Sequence, residues 1–430
     1  MKRYFASGAL MLGAALCMPS LTHAAGFSLL EQTGSGIGYS YAGAAASADD
    51  ASVMFFNPAG LALLNSPQVS VAAHGIDLGT KFRDRGSTLP LAGLGALPAG
   101  STRDDAGDII PLANAYFALP FSDRVAFGFA VNTPFGLKTE YDDPWVGRFQ
   151  GIKSELTTIN ANPALAVKLS DAVSLGFGAD YQHAHAELTN AVLLGPATEG
   201  RARVDVSDET WGWNAGAIFT LPSATRIGVS YRSQMAFSLT GDTNVSTLTG
   251  VPIAAASGPT KIGIKFPDSA NLSVAQPLND ALELRADASW MNWSKVGTVF
   301  ATNTTTGAPR DVLQFGFKDT TRLALGLDYK RNEQWSFRAG TAWDQSPVKD
   351  DVRTVRLPDN DRWWLSVGTR WRPTQNLMLD AAYAHLFVRD TSIALTRGQT
   401  GAPASFSSTV IGDYDNSVNI VSLQATWAFR

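Results

Sequence analysis

Over much of its length the chain alternates apolar and polar residues with a period of two. In the last segment Val421, Leu423, Ala425, Trp427 and Phe429 fall on one face, and Ser422, Gln424, Thr426 and Ala428 on the other. Leu323, Leu325, Leu327 and Tyr329 oppose Arg322, Ala324, Gly326, Asp328 and Lys330 in the same way. So do Trp335, Phe337, Ala339 and Trp343 against Ser336, Arg338, Gly340 and Asp344, and Trp211, Trp213, Ala215 and Phe219 against Gly212, Asn214, Gly216 and Thr220. Successive side chains of a strand point to opposite sides, so each segment is a strand with one apolar face and one small, polar or charged face. A soluble sandwich or propeller also alternates. These segments, however, run to about 10–15 residues, where soluble strands average about 5–6. Trp and Tyr recur near their ends, where a membrane interface places them, and the chain closes on an alternating strand. The pattern predicts an all-β transmembrane barrel with a lipid-facing outside and a wet inside.

The predicted strands lie near 67–82, 109–121, 124–138, 153–169, 172–190, 208–222, 224–240, 260–276, 279–296, 313–330, 333–345, 360–373, 376–390 and 417–429. They make a 14-stranded antiparallel barrel, an even number as in bacterial outer-membrane barrels. Tight turns such as Ser170-Asp171, Pro222-Ser223 and Arg331-Asn332 alternate with long connections at 83–108, 139–152, 191–207, 241–259, 297–312, 346–359 and 391–416. Short turns are expected on the periplasmic side and long loops outside.

Charged residues make up 17% of the chain, below the roughly 25% of soluble domains. No segment after the leader is apolar for the ~18 residues that a spanning helix needs. The leader itself has basic Lys2 and Arg3, an apolar stretch from Phe5 to Met18, and Thr22-His23-Ala24 before a cleavage point. Residues 1–24 are therefore expected to be a removed signal peptide. Leu16 before Cys17 is too large for a lipoprotein cleavage site, so Cys17 belongs to the leader, and its removal leaves no cysteine. Rigidity must then come from something other than disulfides, and a closed ladder of hydrogen bonds supplies it. The net charge of −4 and the lack of any Lys/Arg block exclude nucleic-acid binding.

Residues 25–65 do not alternate. They are rich in Gly, Ala and Ser and too few to bury a core alone, so they are expected to fold inside the barrel of residues 66–430 as a plug, or hatch. Gly34-Ser35-Gly36-Ile37-Gly38 is not a phosphate loop, because no Lys-Ser/Thr and no strand–helix context follow it. In Asn57-Pro58-Ala59, Asn bonds its own backbone and Pro fixes φ. The triplet makes a defined turn, either an ordinary one or part of a gate.

Ala25-Gly26-Phe27, Ala48-Asp49-Asp50 and Asn57-Pro58-Ala59 resemble the hatch of the FadL family of outer-membrane transporters. The resemblance continues in order along the chain through Trp211–Gly216 (WGWNAG), Tyr231–Ser233 (YRS), Gly316–Asp319 (GFKD), Ser346–Val348 (SPV) and Leu357–Thr369 (LPDNDRWWLSVGT). It implies passive import of long-chain fatty acids or other hydrophobic compounds, with Asn57, Pro58 and Ala59 at the gate.

Arg124 to Val131 alternates and is then interrupted by Asn132-Thr133-Pro134-Phe135-Gly136. Pro removes a ladder hydrogen bond and Gly permits a bulge, so a gap is expected, unless the strand ends here at the rim. By resemblance, a kink at Asn132, Pro134 and Gly136 makes a lateral window into the bilayer. Val192-Leu193-Leu194 and Leu248 to Ala256, which includes Val251 and Ile253, are apolar in predicted outer loops. Exposed apolar patches mark binding surfaces, so these loops either capture a hydrophobic ligand or pack on one another. Fatty-acid members of the family meet the carboxylate with basic residues, and two matching positions here are Leu188 and Leu313. Lys318, Arg322 and Arg338 are placed on the lumen face, where they could substitute, while a neutral hydrocarbon gains ground as the cargo. Arg430 after Phe429 is a further departure, because such barrels usually end on the aromatic residue.

An enzyme is disfavoured. His74, His183, His185 and His385 fall in no triad or metal motif, and no catalytic residue, metal or cofactor is expected. A general porin would pass polar solutes, and a residue 25–65 plug would block it. The expected partners are hydrophobic small molecules, outer-membrane lipid and the barrel-insertion machinery of a Gram-negative bacterium, with the protein a monomer.

Overall fold

The computed structural model describes residues 26–90, 97–195, 198–400 and 406–429; the leader and Arg430 lie outside them. Fourteen antiparallel strands form the barrel: β1 (Gln68–Asp84), β2 (Ile109–Pro120), β3 (Val125–Asn132 and Gly136–Glu140), β4 (Lys153–Ser170), β5 (Val173–Gly195), β6 (Thr198–Thr220) and β7 (Arg226–Arg232 and Met235–Thr247). The second half is β8 (Gly258–Phe266 and Ser269–Pro277), β9 (Leu282–Met291 and Thr298–Asn303), β10 (Pro309–Gln314 and Thr320–Lys330), β11 (Trp335–Asp344), β12 (Arg362–Trp371), β13 (Leu377–Val388 and Thr391–Gly398) and β14 (Ser407–Ala428). β14 pairs with β1 from Ala428↔Gln68 to Gly412↔Asp84, which closes the sheet. A closed sheet leaves no unpaired edge for lipid to face.

The alternation resolves as the pattern requires. Leu423 is 61% exposed on the outer face, while its neighbours Ser422 and Gln424 are buried inside. Leu323, Leu325 and Leu327 point out and Arg322 points in. Trp211, Trp213, Trp335 and Trp371 also lie outward or near strand ends, and Trp335 stacks on Trp371 at 5.8 Å across β11 and β12.

The number and order of strands agree with the sequence reading, but several predicted loops are shorter than expected. Much of 191–207 is ladder: β5 runs to Gly195 and β6 begins at Thr198. β14 likewise begins at Ser407, within the predicted 391–416 loop. The physical reason is visible in the partners. Outside the apolar band the outer face is wet, and Arg203 pairs with Glu187 at 2.8 Å and with Asp205 at 3.1 Å. A strand with charges on both faces lacks the apolar stripe that marks a lipid-facing strand.

Residues 26–64 lie within the barrel, with Ile37, Ala45, Met54 and Leu61 buried. They form short turns of helix at Gly34–Ile37 and Val53–Phe56, and 3₁₀ turns at Ala44–Ala46 and Pro58–Leu63. Thr33 caps the first, its hydroxyl accepting from the Gly36 amide at 2.8 Å. Asn57 caps the last, accepting from the Ala59 amide at 3.0 Å, and Pro58 stands at the first helical position, where its missing N–H costs nothing. The helices are too short to stand alone, and contacts with the inward faces of the barrel strands hold them.

Candidate functional site

The third strand supplies the first element of the site. Val125–Asn132 pairs with β4, the ladder lapses over Thr133-Pro134-Phe135, and it resumes from Gly136↔Thr157 to Glu140↔Lys153. On the other side β2 pairs with β3 only as far as Ala115↔Val131. The rest of β2, from Ile109 to Asn114, has its ladder with β1. The β2–β3 ladder is therefore interrupted at Asn132, Pro134 and Gly136.

Backbone groups released by such a break must find other partners or pay for desolvation. Here the N-terminal segment supplies many of them. The Leu29 amide donates to the Pro134 carbonyl at 2.8 Å, and the Gly136 amide donates to the Phe27 carbonyl at 2.8 Å. Gln32 Nε2 donates to the Thr133 carbonyl at 2.8 Å. On the β4 side, the Thr158 hydroxyl donates to the Phe135 carbonyl at 2.6 Å.

Behind this seam sits an apolar cluster. Phe27 meets Trp293 edge-on, with centroids 4.7 Å apart, and Phe135 lies 4.7 Å from Phe266. Phe237, Met235, Val206, Leu137 and Leu156 extend it, Leu313 is part of it, and Leu188 packs on its edge. The two leucines at the expected carboxylate positions thus both lie in apolar surroundings. A cavity of about 100 Å³ adjoins the cluster, lined by Leu29, Leu30, Tyr41, Phe55 and Phe56 from the N-terminal segment and by Pro134, Phe135, Met291 and Trp293 from the barrel.

Its polar wall includes Arg232, Asp287, Arg322 and Asp344. Arg322 lies with its guanidinium 5.3 Å from the Trp364 ring centroid and donates to the Ser40 carbonyl. Arg338 also faces inward but is engaged, with Asp380 at 2.5 Å and with Tyr39 beneath its guanidinium. Lys318 departs from the expectation: it is exposed in the non-strand stretch between the two pieces of β10, outside the cluster. The strand period there is broken at 315–319, so counting alternate residues from Arg322 does not reach it.

Asn57, Pro58 and Ala59 sit against the short-turn half of the wall. Asn57 is fully buried, and its side-chain amide donates to Ala45 of the same segment at 2.7 Å and to Ala217 and Val229 of β6 and β7 at 3.1 and 3.3 Å. Two glycines make room for the triplet. A Cβ on Gly216 would lie 2.2 Å from Asn57 Oδ1, and one on Gly176 would lie 2.2 Å from the Ala59 amide nitrogen.

The residues expected to form an outer apolar surface divide. Val192, Leu193 and Leu194 are in β5, not in a loop, and Leu193 is buried with its backbone bonded to Gln399 in both directions. Extension of the β5–β6 ladder beyond the apolar band accounts for this correction. Leu248 and Val251 are exposed at the β7–β8 tip and Ile253 is half-buried. Among the histidines, His183 and His185 lie on the outward face beside Glu209 and Asp205, His74 bonds Ser422, and His385 bonds Asn419.

A charged ring that the sequence reading missed fixes the base of the N-terminal segment. Asp49 takes both terminal nitrogens of Arg285 at 2.8 and 3.1 Å. Arg285 and Arg338 flank the Tyr39 ring at 4.3 and 4.8 Å. The available signals were the Asp49-Asp50 pair and the arginines at inward strand positions, but their pairing crosses more than two hundred residues.

A closed fourteen-strand antiparallel barrel with an apolar outer belt and a polar interior is an outer-membrane β-barrel. The chain belongs to the outer membrane protein transport protein family (OMPP1/FadL/TodX), whose profile matches residues 15–429. It is 30% identical over 403 residues to outer membrane protein P1 of Haemophilus influenzae, covering 85% of this chain and 86% of that protein. It is 28% identical over 434 residues to the long-chain fatty acid transport protein of Escherichia coli K12, covering 91% and 94%. Among solved structures, a FadL homologue of Pseudomonas aeruginosa superposes with a TM-score of 0.86 at 24% identity, covering 94% of this chain and all of the other. A toluene transporter of Ralstonia pickettii superposes at 0.68 and 18% identity, covering 93% and 99%. The protein is thus an outer-membrane transport protein of a family that carries hydrophobic compounds.

Proposed function

We propose that this protein imports long-chain fatty acids passively: capture at the outer end, binding in the apolar cluster, and lateral exit through the break in β3. The observation that carries this reading is the contact of Phe27 and Phe135 within one apolar cluster, at the interruption where the third strand has lost its β2 partner. On this reading a hydrophobic cargo leaves the cluster for the bilayer beside β3 and has no polar lumen to cross. The N-terminal segment acts as the plug: its Phe27 and Leu29 backbone closes the break, and Asn57-Pro58-Ala59 anchors its far end. Such transport needs no bound nucleotide, metal or covalent step, since transfer from water to hydrocarbon is downhill by about 0.8 kcal/mol per CH₂.

The relatives support two cargo classes, because one is named for long-chain fatty acids and a structural neighbour for toluene. Uptake of labelled oleate and of toluene, by cells lacking their own transporter, separates them. Oleate uptake that collapses when Pro134-Phe135-Gly136 is replaced by Val-Thr-Val supports the lateral fatty-acid route. Toluene uptake without oleate uptake makes the protein a hydrocarbon channel. Entry of neither by the folded protein overturns import and returns the porin reading.

A further inference from the structure

At the long-connection end of the barrel, two arginines have no carboxylate partner among the described residues. Among the described residues Arg310, in β10, donates only to backbone carbonyls, those of Ala256 at 2.7 Å and Ser257 at 3.2 Å, and its buried Nε–H finds no acceptor. Arg356, in the β11–β12 connection, is buried and among the described residues donates only to neutral oxygens: the Lys153 carbonyl and Ser154 hydroxyl at 2.9 Å, with Thr189 and Asn190 farther off. Burial pulls its pKa down to about 10, and Asp311 pushes the other way. Arg397, in β13, has the one ion pair of the three, to Asp311 at 2.7 Å.

That pair stands between two cavities. One, of about 80 Å³, brings Arg310 and Arg397 together with Phe149, Val192 and Val204. The other, of about 230 Å³, has Leu313 and Leu395 in its wall. Asp311 and Arg397 border both. Val204 and Leu313 each belong to the apolar cluster, so each cavity shares a wall residue with it.

A guanidinium bonded only to carbonyls is poorly compensated inside a protein, and a planar carboxylate is its best partner. We propose that Arg310 and Arg397 form a carboxylate-reading site above the apolar cluster, in which the head of a fatty acid displaces Asp311 from Arg397 and accepts the free Nε–H of Arg310. This deepens the import reading above and rests on it. Asp311 is partly exposed and passes to water when displaced, so one carboxylate is exchanged for another with no proton moved. The tail then follows Val204 toward Leu188 and Leu313. The carboxylate anchor thus lies outside the apolar cluster, which explains how leucine at those two positions is compatible with an anionic cargo. A neutral hydrocarbon brings no acceptor and leaves the Arg397–Asp311 pair closed.

The test compares labelled oleate with methyl oleate, which has the same chain without the charge, for capture and uptake by cells making the full chain. The double change Arg310→Gln with Arg397→Gln is expected to lower oleate capture about tenfold, the worth of one charge-assisted bond, and to leave methyl oleate unchanged. Asp311→Asn removes the competing carboxylate and is expected to raise oleate capture severalfold, a gain that misfolding cannot produce. Equal loss of both ligands, or oleate capture that falls in Asp311→Asn, overturns the proposal. Wild-type protein that takes up neither ligand defeats import itself. Wild-type uptake of oleate that both sets of changes leave untouched defeats the arginine site alone.

Discussion

Asp50 of the N-terminal segment accepts a hydrogen bond from Arg370 of β12 at 2.9 Å, while the same guanidinium holds both carboxylate oxygens of Asp380 in β13 at 2.8 and 3.0 Å. All three side chains are buried. Gln424 of β14 completes the clamp: its amide nitrogen donates to Asp50 at 3.0 Å, and its oxygen accepts from the Gly34 amide at 2.9 Å. The segment is therefore bolted to three adjacent strands by groups with no water to fall back on.

Removal of the cation from that clamp leaves the buried Asp50 carboxylate with only neutral donors, Ser52 and Gln424, while Asp380 keeps Arg338. Truncation of one partner in a buried pair costs about 3–5 kcal/mol, mostly as the penalty on the charge left behind. Arg370→Ala is expected to loosen the N-terminal segment while the ladder of β12, which needs only backbone, stays closed. Limited proteolysis within residues 26–64 and single-channel conductance read this directly. Faster cleavage and the appearance of ion-conducting openings are expected, and a variant indistinguishable from wild type in both would refute the clamp.

At the other anchor, Asn57→Ala removes three donated bonds and one accepted bond from a fully buried site. The carbonyl of Ala45 loses its side-chain donor. A loss of about 2–4 kcal/mol in the seating of the segment is expected. Gly216→Ala should act in the same direction from the barrel side, because its Cβ would fall on Asn57 Oδ1. Combined, the two changes should cost less than their sum, since each breaks the same contact. Thermal melting of the segment, followed by a fluorophore attached near residue 60, is the measurement.

Glu31 predicts a pH dependence. Its carboxylate oxygens are buried without hydrogen-bond partners, in the field of Arg362, Asp344 and Arg322. Burial pushes its pKa up to about 7, against the partial help of its own backbone and of Arg362. A carboxyl whose folded pKa lies above its unfolded value near 4.5 stabilises the seated segment most below about 4.5. That advantage fades as pH rises through 7, by on the order of 3 kcal/mol. Asp49 behaves oppositely: burial alone would raise its pKa, but Arg285 holds it well below the usual carboxylate range, so its contribution is constant above about 4 and is lost only in stronger acid. Hydrogen exchange of residues 26–40 should therefore be slower at pH 5 than at pH 8 once corrected for intrinsic rates, and Glu31→Gln should abolish the difference.

The strand count and order were legible because lipid imposes a rule on every spanning residue: outward positions such as Leu423 and Leu325 must be apolar and inward ones such as Ser422 need not be. The β3 break was legible for a similar reason, since Pro134 cannot sit quietly in a closed ladder. Where lipid stops, the rule stops. The ladder over 191–195 and 198–207 carries Arg201, Arg203 and Asp205, and nothing in its pattern separates wet strand from loop. The interruptions of β7, β8, β9 and β10 also went unread, although Pro267-Asp268 marks one of them. Side-chain partnerships were the least visible. Asp49 with Arg285, or Arg397 with Asp311, is a matter of which inward positions the barrel brings to one level, and no local spacing encodes that.

The seam between the N-terminal segment and β3 gives the last prediction, because it depends on backbone and not on side-chain chemistry. Leu29→Pro removes the N–H that donates to Pro134, whereas Leu29→Ala keeps the bond and trims only the apolar contact. If the seam holds the lateral break closed, Leu29→Pro should expose the Pro134 carbonyl and speed exchange of the Gly136 amide, whose own bond to Phe27 loses its neighbour. Passage of a hydrophobic probe should rise severalfold. Leu29→Ala should leave exchange at Gly136 near wild type and change only the fit of the cargo to the cavity that Leu29 lines. Equal behaviour of the two variants would mean that the side chain, and not the hydrogen bond, keeps the break shut, and the N-terminal segment would then act by filling space.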